Sequence, residues 1–349
     1  MSKINQQYEK LTFEQEIGQS GNMLSGWQCQ NPFVEELLTA VRNRSSKMDY
    51  KRYMYFDEDE KLLTKISTLH KKLDGVQPSC VLCGSGSTAL LFTFITHLKN
   101  LGIKKVFYIS PIYFTMLPAL QRYGIQTKCV SQYHPYEKEF ELNLPEGKQS
   151  VLLLSDPTWY SGTAISSEIM KELIEWQNRT SSYIFVDGSM QYLSWNKKTN
   201  EASSKLNPSL TFRLLCPTKQ LAVNGFRFSY LLFPESHYRK LAWTYANIYG
   251  SASVESIAFA YESILRLSNR KISERLINLS IERHSQLRQN KIIESEINPD
   301  CGYFVFEKIK KIIPEKHLVV NGNYFGQNNF KDYTKINLLS PSLNILKIN

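Results

Sequence analysis

Lys219 stands between an apolar run, Leu214-Leu215, and a second apolar segment, Leu221-Ala222-Val223. Lysine avoids burial unless it is paired or used, and a desolvated amine has a lowered pKa and forms Schiff bases. Lys104 and Lys105, by contrast, read as solvated surface residues. Arg227 follows Lys219 by eight positions and brings a permanent charge suited to a phosphate or carboxylate. Upstream, Gly84-Ser85-Gly86-Ser87-Thr88 opens a helical pattern, and helix N-termini bind anions through free N–H groups and the helix dipole. No lysine follows the last glycine and the spacing is not GxGxxG, so a structural turn and a phosphate cup are both open readings. Asp187 closes the apolar run Tyr183-Ile184-Phe185-Val186. It either caps the next turn or holds a cationic ring nitrogen.

These residues sit at the ends of predicted strands. Apolar runs at Lys105–Ser110, Ile125–Val130, Ser150–Ser155, Tyr183–Val186, Thr211–Cys216 and Arg227–Phe233 follow a short apolar lead-in at Ser79–Leu82. Helical patterns at Thr88–Leu98, Phe114–Tyr123 (stopped by Gly124) and Glu168–Arg179 separate them. Continuous runs bounded by helices describe strands buried on both faces, so the fold class is α/β with a mostly parallel sheet flanked by helices. Ligands in such sheets sit beyond the carboxyl ends of the strands. After Pro234 the pattern becomes helical, over His237–Ser268 with a break at Gly250 and then over Ile272–Ile293. Strands at Tyr303–Glu307 and His317–Val320 suggest a smaller α+β unit.

The 349 residues carry 42 Lys and Arg against 32 Asp and Glu, a net charge of +10, with 42% hydrophobic and 21% charged residues. That balance excludes a largely disordered chain. The basic residues form only short clusters such as Lys308, Lys310 and Lys311, and no nucleic-acid-binding motif is present, so no nucleic-acid partner is expected. Cys80 and Cys83 form one CxxC without a second pair or a suitable histidine pair. Buried thiols are the preferred reading, and no metal is expected. Met1–Ser20 has no apolar signal core and no run of 18 apolar residues exists, so neither a secretory signal nor a membrane partner is expected and the localisation expected is cytoplasmic.

Taken in order, the helix-opening Gly/Ser turn, the strand-end Asp, the Lys and the Arg resemble fold type I pyridoxal-phosphate (PLP) enzymes, specifically the class I/II aminotransferase family, over about residues 50–340. Gly86-Ser87-Thr88 resembles the family's first phosphate-binding turn, and Ser110-Pro111-Ile112-Tyr113 its P-x-Y segment. Asp156-Pro157-Thr158-Trp159-Tyr160-Ser161-Gly162 lies where the family has N-P-x-N-P-x-G. Thr218-Lys219 with Arg227 resembles S-K-x(7)-R. Cys301-Gly302-Tyr303-Phe304-Val305-Phe306, Tyr324-Phe325-Gly326 and Tyr333-Thr334-Lys335-Ile336-Asn337 resemble small-domain segments.

The resemblance implies pyridoxal 5'-phosphate as cofactor, held as an internal aldimine by Lys219. Asp187 would keep the pyridine nitrogen protonated, Tyr113 would stack on the ring, and Arg227, Thr218 and the Gly86-Ser87-Thr88 turn would neutralise the phosphate. Lys219, once displaced, would be the base for proton transfer. Lys335 takes the place of the arginine that anchors a substrate carboxylate. The resemblance also implies a homodimer, in which Tyr53 or Tyr55 would reach the neighbour's phosphate. Residues 1–45 would form an arm and part of the small domain, 46–240 the large cofactor domain, and 241–349 a linking helix and the C-terminal small domain.

Three departures stand out. Trp159 replaces an asparagine that bonds the cofactor's phenolic oxygen. Met190 occupies the usual tyrosine position after Asp187, with Tyr192 the nearest tyrosine. Lys335 replaces a bidentate fork with a point charge. The expected function is therefore a PLP-dependent enzyme acting on the amino group of a small-molecule amino acid or amine, most simply an aminotransferase. The alternative is a PLP-dependent lyase, decarboxylase or cyclase of specialised biosynthesis. A ligand-sensing reading lacks a fused DNA-binding domain within residues 1–50, and a scaffold reading makes Lys219 and Asp187 accidents.

Overall fold

The computed structural model describes residues 24–56, 59–132, 140–196, 201–294, 298–310, 320–321 and 330–346. Seven strands, β1 (Cys80–Gly84), β2 (Lys105–Ser110), β3 (Gln126–Gln132), β4 (Val151–Ser155), β5 (Tyr183–Asp187), β6 (Thr211–Leu215) and β7 (Ser229–Phe233), form one sheet in the order β1-β7-β6-β5-β4-β2-β3. The neighbours β3, β2, β4, β5 and β6 run parallel. β7 runs antiparallel to both β6 and β1. Its direction has a simple cause: between Leu215 and Ser229 there is only a one-turn helix, Pro217–Gln220, and a 3-10 turn. Without a crossover helix the chain cannot return to the far edge, so the strand runs back from where it left. The lead-in at Ser79–Leu82 is the full strand β1.

Strand β5 shows how the two faces are filled. Phe185 enters a cluster with Leu90, Phe94 and Phe212, under the helix Ser87–Asn100. Ile184 and Val186 face the opposite cluster with Ile169, Leu173 and Trp176 of the helix Ser167–Thr180. Alternation across the pleat places every second residue on the same face. The predicted helix after Pro234 divides into Tyr238–Tyr249, Val254–Asn269 and Lys271–Gln289, the first ending at Gly250.

A second sheet is antiparallel, with β10 (Tyr333–Asn337) between β8 (Phe304–Lys308) and β9 (Val320–Asn321). Of the predicted strand His317–Val320 only Val320 is described. Residues 322–329, with the Tyr324-Phe325-Gly326 segment, and the N-terminal residues 1–23 lie outside the described residues. The helices Glu35–Ser45 and Glu60–Asp74 were not anticipated. The second has local stop signals at both ends, with the Asp59 side chain accepting from Leu62 N–H and Gly75 in the left-handed conformation.

Candidate active site

The carboxyl edge of the large sheet gathers the chemistry-bearing residues. β1 ends at Gly84, and Gly86 (φ +94°) caps the helix that begins at Ser87, with Thr88 in its first turn. A Cβ on Gly86 would lie 2.8 Å from Nη2 of Arg227, so the guanidinium rests directly against the turn. This bare turn under a permanent cation is a cradle that fits a phosphate group. Arg227 itself is exposed and adopts φ +51° just before β7. Asp187 ends β5 and is buried, with Ser189 N–H and Oγ–H both donating to its Oδ1 at 3.1 and 2.6 Å. It thus caps its turn and still stands at the strand end. Thr218, also buried, lies with Oγ1 3.2 Å from Cys216 Sγ and bonds Phe228 O at 3.5 Å.

Lys219 is less enclosed than its apolar neighbours in the sequence suggest. Lys219 is half-buried, because the apolar neighbours Leu221 and Ala222 turn into the core while Lys219 stays at the sheet edge. Its Nζ lies 5.0 Å from the Trp27 ring centre and 5.6 Å from that of Tyr113. Lys335, in the centre of the small sheet, is 0% exposed. Its Nζ lies 3.8 Å from Trp27, 4.0 Å from Phe304 and 5.2 Å from Trp159 and has no hydrogen-bond partner. Burial, then the neighbouring Lys219 charge, pushes its amine well below the ordinary lysine range.

Trp27 connects these groups and was missed in the sequence. It stacks on Trp159 (5.8 Å, 25°) and meets Tyr113 edge-on (6.3 Å, 71°). Its position comes from hydrogen bonds that sequence patterns do not reveal: Asn337 Nδ2 donates to Gly26 O and Gln28 O, each at 2.9 Å, and Asn224 Nδ2 donates to Trp27 O at 3.0 Å. The only sequence signal is a large aromatic beside a glycine ahead of Asn31-Pro32.

The positions that depart from the expected pattern have other duties. Met190 is buried, its Cε 3.1 Å from where a Cβ on Gly302 would stand. Tyr192 (φ +64°) sends its hydroxyl to Asp74 Oδ1 at 2.9 Å and accepts from Arg213 Nη2 at 2.5 Å. Arg213 Nη1 also donates to Asp74 Oδ2 at 2.7 Å, and His70 bridges Asp74 and Tyr230. Although burial raises it, Arg213 and His70 bring the Asp74 carboxyl down to about 2. Tyr192 is thus committed to a buried ion-pair network. Tyr53 is 80% exposed and Tyr55 half-buried.

A lysine in the one-turn helix after β6, an arginine laid on a glycine turn and a strand-end aspartate thus lie along one sheet edge. Residues 19–340 match the model of the family Aminotransferase class I and II. The chain belongs to that family. It is accordingly a transferase of the PLP-dependent, aminotransferase-like kind. Solved structures share the fold at low identity. A substrate-bound BacF from Bacillus subtilis superimposes with a TM-score of 0.79 at 16% identity, covering 98% of this chain and 93% of that one. An aspartate aminotransferase double mutant from Thermus thermophilus gives 0.76 at 16%, covering 99% and 94%. YbdL from Escherichia coli, with a methionine aminotransferase function, gives 0.77 at 14%, covering 100% and 96%. No curated protein sequence matches the chain significantly. Among the described residues no helix is long and apolar enough to cross a membrane.

Proposed function

We propose that this protein transfers the amino group of an amino acid or amine, with PLP held at the carboxyl edge of the large sheet and attached through Lys219. The observation that carries the reading is the placement of the Arg227 guanidinium 2.8 Å from a virtual Cβ on Gly86, on the same edge as the Lys219 amine. There the turn Gly86-Ser87-Thr88, Arg227 and Thr218 hold the phosphate. Asp187, seated by two bonds from Ser189, holds a proton on the ring nitrogen. Tyr113 would stack on the ring, and Trp159, edge-on to Tyr113, would help to line the cofactor site. PLP, when bound, supplies an electron sink. The chain supplies the proton movement: Lys219 Nζ takes a proton from the substrate α-carbon and returns one. The wall of Trp27, Trp159 and Phe304 excludes water, and Lys335 Nζ waits inside it for an acceptor, such as a substrate carboxylate.

A second reading, a lyase, decarboxylase or cyclase on the same scaffold, is favoured by one observation. Trp159 and Met190 stand where donors to the cofactor's phenolic oxygen would be, and Trp159 is packed on Trp27. The enclosed, aromatic substrate side then selects a different bond for cleavage. Two further parts of the reading rest on the family resemblance. One is a homodimer whose Tyr53 or Tyr55 completes the neighbour's phosphate site. The other is a division into an arm with part of the small domain (1–45), a large cofactor domain (46–240) and a C-terminal small domain (241–349).

Borohydride reduction followed by peptide mapping tests the attachment. The pyridoxyl group is expected on the peptide containing Lys219, and Lys219→Ala is expected to abolish turnover, since attachment and base are lost together. Label on another lysine overturns the assignment. Adding a panel of amino acids and amines while following the visible cofactor band, with products identified by mass, separates the two readings: an oxo product means transfer, and lost carbon dioxide or an eliminated group means the second reading.

A further inference from the structure

Behind the lysine turn lies a small enclosed cavity of about 10 Å³, room for one water-sized body. Gln220, the residue after Lys219, lines it and is 1% exposed, with neither its Nε2 nor its Oε1 hydrogen-bonded. Ser273 also lines it at 3% exposure, its Oγ likewise without a partner. Arg270 completes the set, with Nε and Nη1 buried and without hydrogen bonds. Glu274 stands 3.7 Å from Nε but is 57% exposed, and neither Nε nor Nη1 makes a hydrogen bond. Ser273 belongs to the first turn of the 19-residue helix Lys271–Gln289, where backbone N–H groups have no intrahelical acceptor and the dipole favours negative charge.

Buried polar groups that lack partners are costly, and here they meet around one space. The inventory decides what fills it. Arg270 Nε, Arg270 Nη1, Gln220 Nε2 and Ser273 Oγ are donors, and Gln220 Oε1 is the one acceptor. A water accepts at most two of these bonds, whereas a monatomic anion accepts all four and matches the guanidinium charge. Leu69, Leu73 and Leu267 form apolar walls that strengthen such bonds by lowering the local dielectric.

We propose that this cavity is a binding site for a small inorganic anion of the chloride class. The anion joins the turn that carries Lys219 to the start of the helix Lys271–Gln289. Gln220 is one covalent step from Lys219, and Arg270 occupies the left-handed break (φ +57°) between the two long C-terminal helices. Occupancy therefore fixes the lysine turn against the part of the chain that leads to the small sheet. The proposal is independent of which amino-group reaction the enzyme performs.

The test uses the full-length protein as purified. Crystals soaked in sodium bromide and measured at the bromine absorption edge are expected to give an anomalous peak bounded by Gln220, Arg270 and Ser273. In solution, sodium chloride is expected to raise the melting temperature by about 2 °C over sodium gluconate of equal ionic strength, the size expected for a ligand at about ten times its Kd. Ser273→Ala and Arg270→Gln are each expected to remove at least half of that difference. Each variant is compared with itself in the two salts, so a change in basal stability leaves the readout intact, and the bromide experiment needs no variant. A cavity without an anomalous signal, holding only water, overturns the proposal. So does a chloride effect that persists undiminished in both variants.

Discussion

Lys335 is a fully buried amine whose Nζ lies among the ring faces of Trp27, Phe304 and Trp159 and has no hydrogen-bond partner. Those faces accept an ammonium by cation–π attraction, but burial favours the neutral form. A substrate carboxylate would change the balance, so it binds together with a proton. The expected outcome is a KM that climbs as pH rises, a climb that disappears in Lys335→Arg because a guanidinium stays charged. Lys335→Ala should lower kcat/KM by about 10-fold or more, roughly 1.4 kcal/mol. An unchanged kcat/KM would remove Lys335 from the substrate site. Glu201 offers a second titration. Burial, reinforced by Asp156, raises its carboxyl from 4.5 to about 7, while its Oε1 accepts from Tyr192 N–H at 2.5 Å. The folded chain therefore holds the extra proton between these values, so this contribution to stability is present below pH 4.5 and is lost as pH rises through 7. Glu201→Gln keeps the acceptor without the charge. Denaturant titrations should find it more stable than wild type at pH 8, by up to about 3 kcal/mol, and equal to it near pH 4. A gain independent of pH would contradict this account.

At the scale of elements, the loop after β4 is locked to the small sheet. Asp300 N–H and Cys301 N–H both donate to Gly162 O, at 3.0 and 2.8 Å. Gly162 has φ +69°, and a Cβ there would stand 2.1 Å from Cys301 O. No side chain fits against a backbone oxygen at that range, so Gly162→Ala should cost about 3 kcal/mol or more, measured by chemical denaturation. Since this loop carries Trp159, the same variant should also weaken PLP retention. A silent Gly162→Ala would mean the loop is not held there. Helix ends such as Asp59 and Gly75 are local signals open to reading in the sequence. By contrast, the direction of β7 follows from a connection too short for a crossover.

Over the whole molecule, large side chains remain open to solvent: Tyr53 at 80%, Trp243 at 65%, and Tyr50 and Leu265 at 58%. Exposed aromatics of this size suit an interface, in keeping with the homodimer implied by the family resemblance. Sedimentation equilibrium should give a mass twice that of one chain. A monomer with full activity would overturn the dimer and, with it, the role of Tyr53 or Tyr55.

Asp187 and the Gly86 turn could be read from the sequence because each follows the carboxyl end of an apolar run, and such ends gather at one edge of a parallel sheet. Lys219 lies in the one-turn helix after β6, and Arg227 joins that edge because β7 runs back antiparallel. The alternation of strands and helices likewise determined the α/β class, since periodicity is a local property. Only the tertiary structure decided which lysine is buried. Trp27 reaches the site because Asn337, 311 positions from Gly26, binds the backbone on both sides of it. Arg213 and Asp74, 139 positions apart, draw Tyr192 into their network. The cavity beside Gln220 depends on a helix that starts 51 positions later, at Lys271. Such contacts leave no periodic trace, because they are set by how separate elements pack once the chain has closed its long loops.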